Sequence, residues 1–426
     1  MSTFTRYRAA LLSAVVLMQG CASSGPLSDA RSQFFSGQPQ AALNTLETES
    51  VAKRNHLLAH LDRGLIAHTA GEYQLSINAF KSAASLVDEL NLISIREQSA
   101  SLVTNDWVTA YKGEYSERLW IHAFQMMNFL ILNRPEGAAV EARQALQVLD
   151  EHGDNLKNDW YTRALIAMSF EAAGKEDSAH IEYKKLLLDT GRDVGLARRA
   201  WRNAKRLGRQ EDADKFKDLI TTSVSTAKTK GELVVFVQTG SIPRKVSGEI
   251  FIDPSLYASF PVYPNIPRPN VSLTVNKDGI DQPADVLSVQ LVDISRAALA
   301  ARGTKITTKQ ALRIAAKKGI TDAVSKDNKI LGALFSVAFL ASEIADTRSW
   351  ETLPAHVSLV QIPLDAGTHT VRLQIQDGSN VHDIAIPNVD ITSGKTSYRS
   401  FRVGTGAPRP VESIPAADTT DASPSP

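Results

Sequence analysis

Apolar residues between Leu57 and Val87 recur at helical spacing in two runs separated by a glycine. Leu57, Leu61 and Leu65 are each four residues apart. After Gly71, the residues Tyr73, Ile77, Phe80, Ala84 and Val87 form a second stripe. Two stripes joined by a short turn predict an antiparallel helix pair, with Gly64 placed where the helices approach closely. The logic repeats in "GQPQAALNTLE" from Gly37, "GEYQLSINAFKSAASL" from Gly71, "GAAVEARQALQVL" from Gly137, "GKEDSAHIEYKKLLL" from Gly174 and "GRQEDADKFKDL" from Gly208. These glycines are 34, 66, 37 and 34 residues apart. The long interval leaves room for one more unit near Gly113. A single pair cannot bury its own stripe, so the pairs are expected to stack over residues 28–225 and share a core.

After Ser225 the period changes to two. "ELVVFVQ", "GEIFID", "VSLTVN", "VLSVQLVD", "HVSLVQIPL", "HTVRLQIQ", "VHDIAIP" and "SYRSFRV" are short runs bounded by Gly, Pro, Asp or Asn. Val371, Leu373 and Ile375 alternate with Arg372, Gln374 and Gln376. Such runs predict a β-sandwich-like domain over 226–403. Breaker-poor stretches predict a helical insert at 294–345. Within it, Ile330 to Ser342 carries no charge. It is shorter than the ~20 residues that span a bilayer and is expected to be a buried helix, with lipid insertion or partner docking as the alternative. Residues 404–426, rich in Pro, Ala, Thr, Ser and Asp, are expected to be a disordered tail. A period near 34 is that of the tetratricopeptide repeat (TPR). The predicted fold class is therefore α+β multidomain: an N-terminal TPR-like α-solenoid, then a C-terminal β-sandwich-like domain with a helical insertion.

The single cysteine changes the picture of location. Arg6 and Arg8 precede an uncharged, largely apolar run from Ala9 to Met18, followed by Gln19, Gly20 and Cys21. This resembles a bacterial lipoprotein signal peptide over 1–20, with Met18 where Leu is usual. The resemblance implies that Cys21 is lipidated, palmitate among its acyl chains, and that 21–27 is a short lipidated linker. An ordinary secretory signal with a chance cysteine is the alternative. Ala22 after the cysteine, rather than Asp, implies the outer membrane, with the protein on its periplasmic face. The whole chain carries 47 Lys+Arg against 46 Asp+Glu. Without Arg6 and Arg8 the balance is 45 against 46, and nothing in it suggests nucleic acid.

"YKGEYSERLWIHAFQMMNFLILNRPEGAAVEARQAL", Tyr111 to Leu146, is aromatic- and Met-rich. It carries Tyr111, Gly113, Glu114, Glu117, Arg118, Asn128, Leu130, Val140, Glu141, Ala142 and Arg143 in a Y-x-G-E…E-R…N-x-L…VEAR run. "ADTRSWETLP", Ala345 to Pro354, adds a D-x-R-S-W-x-T-L-P segment. On both, the chain resembles a family of uncharacterised tetratricopeptide-containing bacterial lipoproteins. The resemblance spans most of the mature chain and implies little chemistry. It brings in cell-wall synthesis or surface polysaccharide export as expected settings.

Candidate binding residues fall in three places. Tyr111, Glu114, Tyr115 and Arg118 combine tyrosines with charges at a helix turn, suited to peptide or glycan contact and equally to contact between repeats. Arg198, Arg202, Lys205, Arg206 and Arg209 share a helix face with no acid among them. That stripe is either a solvated outer face or a surface for lipid headgroups, an acidic partner or a polyanionic glycan. Arg348 is expected to pair with Asp346, and Trp350 to plug the junction between helices and sheet, with a binding loop as the alternative. His56 and His60 have ligand spacing without a third ligand, so no metal is expected. Ser225–Lys228 and Gly394–Thr396 match fragments of S-x-x-K and P-loop motifs without the remaining parts. No cofactor and no enzymatic activity are expected. The expectation is an anchored scaffold whose solenoid groove binds a segment of an envelope protein. The alternative is a module for peptidoglycan or polysaccharide.

Overall fold

A computed structural model describes residues 25–96, 110–156, 158–191, 195–220, 231–253, 256–266, 271–277, 279–282, 284–300 and 345–404. Cys21, the run 330–342 and the tail from 405 lie outside the described residues. Ten α-helices precede the sheets among the described residues: α1 (Pro26–Phe35), α2 (Pro39–Thr48), α3 (His56–Thr69), α4 (Tyr73–Arg96), α5 (Tyr115–Ile131), α6 (Pro135–Leu156), α7 (Trp160–Ala172), α8 (Glu176–Thr190), α9 (Ala197–Arg206) and α10 (Gln210–Asp218). They pack as five consecutive pairs.

One turn builds every pair. Gly37, Gly71, Asn133, Gly174 and Gly208 all have positive φ. The amide of the next residue donates to the carbonyl five positions back: Gln38 to Gln33, Glu72 to Ala67, Arg134 to Phe129, Lys175 to Phe170 and Arg209 to Ala204. The following helix starts one residue later. This is the left-handed closure that satisfies the last carbonyls of a helix. The third turn is made by Asn133, a residue that tolerates this backbone, and not by Gly137. Gly137 lies inside α6, where an added Cβ would stand 2.5 Å from the Phe129 ring. The extra unit expected near Gly113 is not present among the described residues. Part of the long interval is taken by α4, which runs 24 residues. Gly113 itself lies in the extended lead-in to α5, beside Leu57. Gly64 faces Phe80 as closely as Gly137 faces Phe129, so α3 and α4 do meet at that glycine.

The strands are β1 (Gly231–Thr239), β2 (Val246–Asp253), β3 (Leu256–Val262), β4 (Val271–Lys277), β5 (Ile280–Gln282), β6 (Asp285–Gln290), β7 (His356–Leu364), β8 (Gly367–Asp377), β9 (Asn380–Ile391) and β10 (Thr396–Val403). An inner sheet has the order β10-β1-β7-β6 and an outer sheet β5-β4-β8-β9, with β2–β3 a separate hairpin. β1 runs antiparallel to β7 and parallel to β10, with Val235 opposite Val360 and Arg399. Leu233, Val235, Val237, Val360, Ile362 and Leu364 face the outer sheet, against Val371, Leu373, Ile375, Ile384 and Ile386. On the other side of the same strands, Val234, Phe236, Val357, Leu359 and Tyr398 belong to the core of the helix stack. The molecule is thus layered as helices, inner sheet, outer sheet. β1 is covered on both faces, and its sequence "ELVVFVQ" accordingly shows no clean alternation. Residues 291–300 after β6 are helical, and Leu291, Ile294 and Ala298 join the helix-stack core.

Candidate functional site

The first helices of the pairs present the surface that an α-solenoid ordinarily offers to a ligand. Here α3, α5 and α7 meet β10, β6 and β7 instead. At α3, α5 and α7 the chain's own inner sheet takes the place expected for a segment of another protein. The apolar contact is interrupted by three groups of buried polar side chains.

The first group holds residues 345–355 against the helices. Arg31 of α1 donates from Nε to Asp62 Oδ2 of α3 at 2.6 Å and from Nη2 to the Ser349 carbonyl at 3.0 Å. Thr352 donates to Asp62 Oδ1 at 2.8 Å, and the Trp350 indole donates to Thr352 Oγ1 at 3.0 Å. Glu117 caps α5 by accepting the Glu114 amide through Oε2, and accepts the Trp350 amide through Oε1 at 2.8 Å. Burial, which penalises the charged form, raises the pKa values of both Asp62 and Glu117. Trp350 is fully buried, with its ring 5.6 Å from Phe80 and 5.8 Å from Phe124. It fills the gap between α4, α5 and the loop. Arg348 lies 2.7 Å from Asp346 and also donates to the Arg54 carbonyl.

The second group links three helices to two strands. His68 Nδ1 donates to Asn128 Oδ1 at 2.6 Å, and Asn128 Nδ2 donates to Ser76 Oγ at 2.8 Å. The remaining ring nitrogen, Nε2, accepts from Ser400 Oγ at 2.8 Å and from Gln238 Nε2 at 2.9 Å. An imidazole donating on one side and accepting two bonds on the other is neutral. Burial, with Arg402 adding to it, lowers the His68 pKa to about 4. His68 continues the stripe Leu57, Leu61, Leu65, and Asn128 interrupts an apolar helix. A polar residue on an apolar stripe was the available signal for both.

Arg199 of α9 centres the third group. Nη1 donates to Glu171 of α7 at 2.7 Å, Nε to Gln361 of β7 at 2.8 Å, and Nη2 to Glu232 of β1. Tyr183 and Arg206 also donate to Glu171. Burial would raise the Glu171 pKa, but Arg199 and these donors hold it down to about 2. Arg199 lies in the same basic run as the predicted stripe but off its face, and the sequence reading assigned it no role.

The remaining candidates engage this same framework. Tyr111 is buried and donates to Glu117. Glu114 is buried and accepts from Lys245 at 2.8 Å. Tyr115 stacks on His152, and Arg118 donates to Asn91 and to the Lys112 carbonyl. The polar groups of Tyr111 and Glu114 point into the molecule. The stripe without acids in sequence finds them in space. Arg198 lies 3.3 Å from Asp285, Arg202 3.5 Å from Glu232, Arg206 2.9 Å from Glu171, and Arg209 2.6 Å from Asp177. Lys205 donates to Gln210. His56 donates to the Val51 carbonyl. Among the described residues, no cluster of His, Cys, Asp and Glu is placed to hold a metal.

No protein-family model matches the sequence, and no curated protein matches it. Solved structures share the helical half at low similarity. MamA AMB-1 is 12% identical over 47% of this chain and 92% of its own, with a TM-score of 0.32. MamA from Desulfovibrio magneticus RS-1 is 12% identical over 45% and 87%, with a TM-score of 0.31. The Rap conjugation gene regulator of plasmid pLS20, in complex with a Phr peptide, is 13% identical over 46% and 51%, with a TM-score of 0.28. Scores this low carry no weight for function, and the helix-pair architecture rests on the turns and packing of this chain itself.

Proposed function

We propose that this chain is an envelope lipoprotein, anchored through Cys21 at the periplasmic face of the outer membrane, that acts as a rigid protein–protein interaction scaffold. The observation that carries the reading is the distribution of exposed apolar side chains. Among the described residues of the helical half they are Leu92, Val140, Ile181 and Leu188, and all four stand on second helices of their pairs, α4, α6 and α8. The first helices are closed by the inner sheet, so partner contact falls to the opposite face. Fixing helices to sheet through buried polar groups holds that face in one orientation to the sheets. Photo-crosslinking residues placed at Val140, Ile181 and Leu188 in intact envelopes test this. Adducts with another envelope protein are expected there and not at Arg372 on the outer sheet. Equal labelling at all positions, or none, sinks the reading.

A glycan-binding reading has one observation in its favour. Ser272, Thr274, Arg372, Gln374, Gln376 and Asp383 form a flat exposed polar face on the outer sheet. Sedimentation with purified sacculi decides it: loss of binding on replacing Gln374 and Gln376 together would favour the glycan over the protein partner.

A further inference from the structure

We propose that the cleft at the start of α1 binds the phosphate of an anionic phospholipid headgroup in the bilayer that holds Cys21. The site rests on the anchor reading above and adds a second, non-covalent hold on the same membrane. The cleft has a volume of about 440 Å³, and its walls include Gly25, Arg31, Arg54, Arg244, Arg348 and Glu351. Three features converge on it.

Position is the first. Gly25 is four residues from Cys21. At ~3.5 Å per residue the lip of the cleft lies within ~14 Å of the lipidated position. The headgroup zone is several ångströms deep on each side of the hydrocarbon, so a tether this short keeps the cleft within reach of it.

Charge is the second. Four guanidinium groups line the cleft against one carboxylate. Glu351 is shared, 2.7 Å from Arg31 through Oε1 and 2.6 Å from Arg244 through Oε2. Behind the wall, Asp62 takes Arg31 and Asp346 takes Arg348. The N-terminal end of α1 adds its dipole in the same sense; its cap residue, Gly25, supplies no side-chain acceptor, and Asp29 stands in its first turn.

The third feature is an available fork. Arg244 Nε lies 2.6 Å from Glu351 Oε2, and the Arg244 side chain is 53% exposed. Among the described residues its two Nη groups carry no hydrogen bond. A half-exposed guanidinium beside one carboxylate can present its two Nη groups as a fork to phosphate oxygens. Pairing to Glu351 removes part of the side-chain freedom that binding would otherwise have to freeze.

Arginine modification reads the site on the full lipidated chain. The protein is placed in phosphatidylglycerol nanodiscs, in phosphatidylcholine nanodiscs and in maltoside micelles with and without glycerol phosphate. Phenylglyoxal adducts are then quantified by mass spectrometry. Arg244 is expected to react about tenfold more slowly in phosphatidylglycerol than in phosphatidylcholine or micelles, a difference of about 1.4 kcal/mol in headgroup binding. Arg372, on the outer sheet, is expected to react equally throughout. In an Arg54→Gln variant, whose substituted side chain lies at the cleft wall, the protection of Arg244 is expected to shrink. Equal Arg244 rates in all media overturn the proposal. So does slowing of Arg372 in step with Arg244, which marks general surface screening. Protection by glycerol phosphate without protection by the bilayer also overturns it, since the source would then be a soluble phosphate. The intact mass reports Cys21 separately: a bare thiol overturns the anchor reading, whereas a lipidated chain with unprotected Arg244 overturns the headgroup site alone.

Discussion

The inner sheet has two faces, and they are built differently. Toward the outer sheet it shows Leu233, Val235, Val237, Val360, Ile362 and Leu364, a dry apolar layer. Toward the helices it shows Val234, Phe236 and Leu359 interspersed with Glu232, Gln238, Gln361 and Ser400, each bonded to a helix residue. An apolar face is stabilised by burial and is indifferent to small shifts of its partner. A face carrying paired polar groups is not, because any displacement leaves a buried donor or acceptor unmatched. The outer interface therefore supplies cohesion, and the inner one fixes how the helix stack sits on the sheet.

The sharpest way to break that contrast is at Arg199. Replacing it with Leu leaves Glu171 and Glu232 buried beside an uncharged neighbour. A loss of about 3–5 kcal/mol is expected in urea-unfolding measurements. On the dry face, Ile362→Ala is expected to cost about 3 kcal/mol, from lost burial and the cavity it leaves. Both variants should still unfold in one transition if the two faces belong to a single cooperative unit. Separate transitions for helices and sheets would show that the polar face does not couple them.

Acid should act on the inner face selectively. His68 has a native pKa of about 4 and an ordinary value of 6.5 when unfolded. The unfolded chain therefore binds the proton first, and the stability that neutral His68 contributes is complete above about pH 6.5 and lost as pH falls toward 4. Between about pH 7 and pH 5 the loss is roughly 2 kcal/mol. It is read as a falling thermal midpoint, and a His68→Gln variant should lack that slope. Glu171 acts lower. With a native value near 2 against an ordinary 4.5, its contribution is complete above about pH 4.5 and is lost progressively as the pH falls toward 2.

Two smaller effects bound the comparison from outside. Asn133→Ala places an ordinary side chain at φ 55° and is expected to cost about 1 kcal/mol, with Asn133→Gly neutral or better. Arg209→Ala removes an exposed pair with Asp177 and is expected to change stability by less than about 1 kcal/mol. A larger effect at Arg209 would mean that the basic run holds the stack together along its outside as well.

Much of the helical half could be read along the chain. The stripes from Leu57 to Val87 and four of the five turns sit where their residues place them. The third turn was misread because Gly137 was conspicuous and Asn133, four residues earlier, does the same backbone work with a side chain. The strands were visible through alternation at Val371, Leu373 and Ile375. The continuous run in β1 gave no hint of which face met helices and which met sheet. Of the candidate residues, Arg348 and Trp350 could be read from their neighbours, because Asp346 is two residues away and a lone Trp beside a loop seeks burial. Tyr111, Glu114 and the arginines of α9 each kept two readings along the chain. Their partners, Glu117 apart, lie far along the chain: Lys245 for Glu114, Asp285 and Glu232 for Arg198 and Arg202.

The sequence by itself determined which residues form helices and strands, where pairs turn, and which stripe of each element is apolar, since all of these follow from spacings of two to five residues. Only the tertiary structure decided what covers the first helices. A helical stripe is complementary to any apolar surface of the right shape, and the choice of the chain's own sheet is made by contacts spanning up to 332 residues, such as His68 with Ser400.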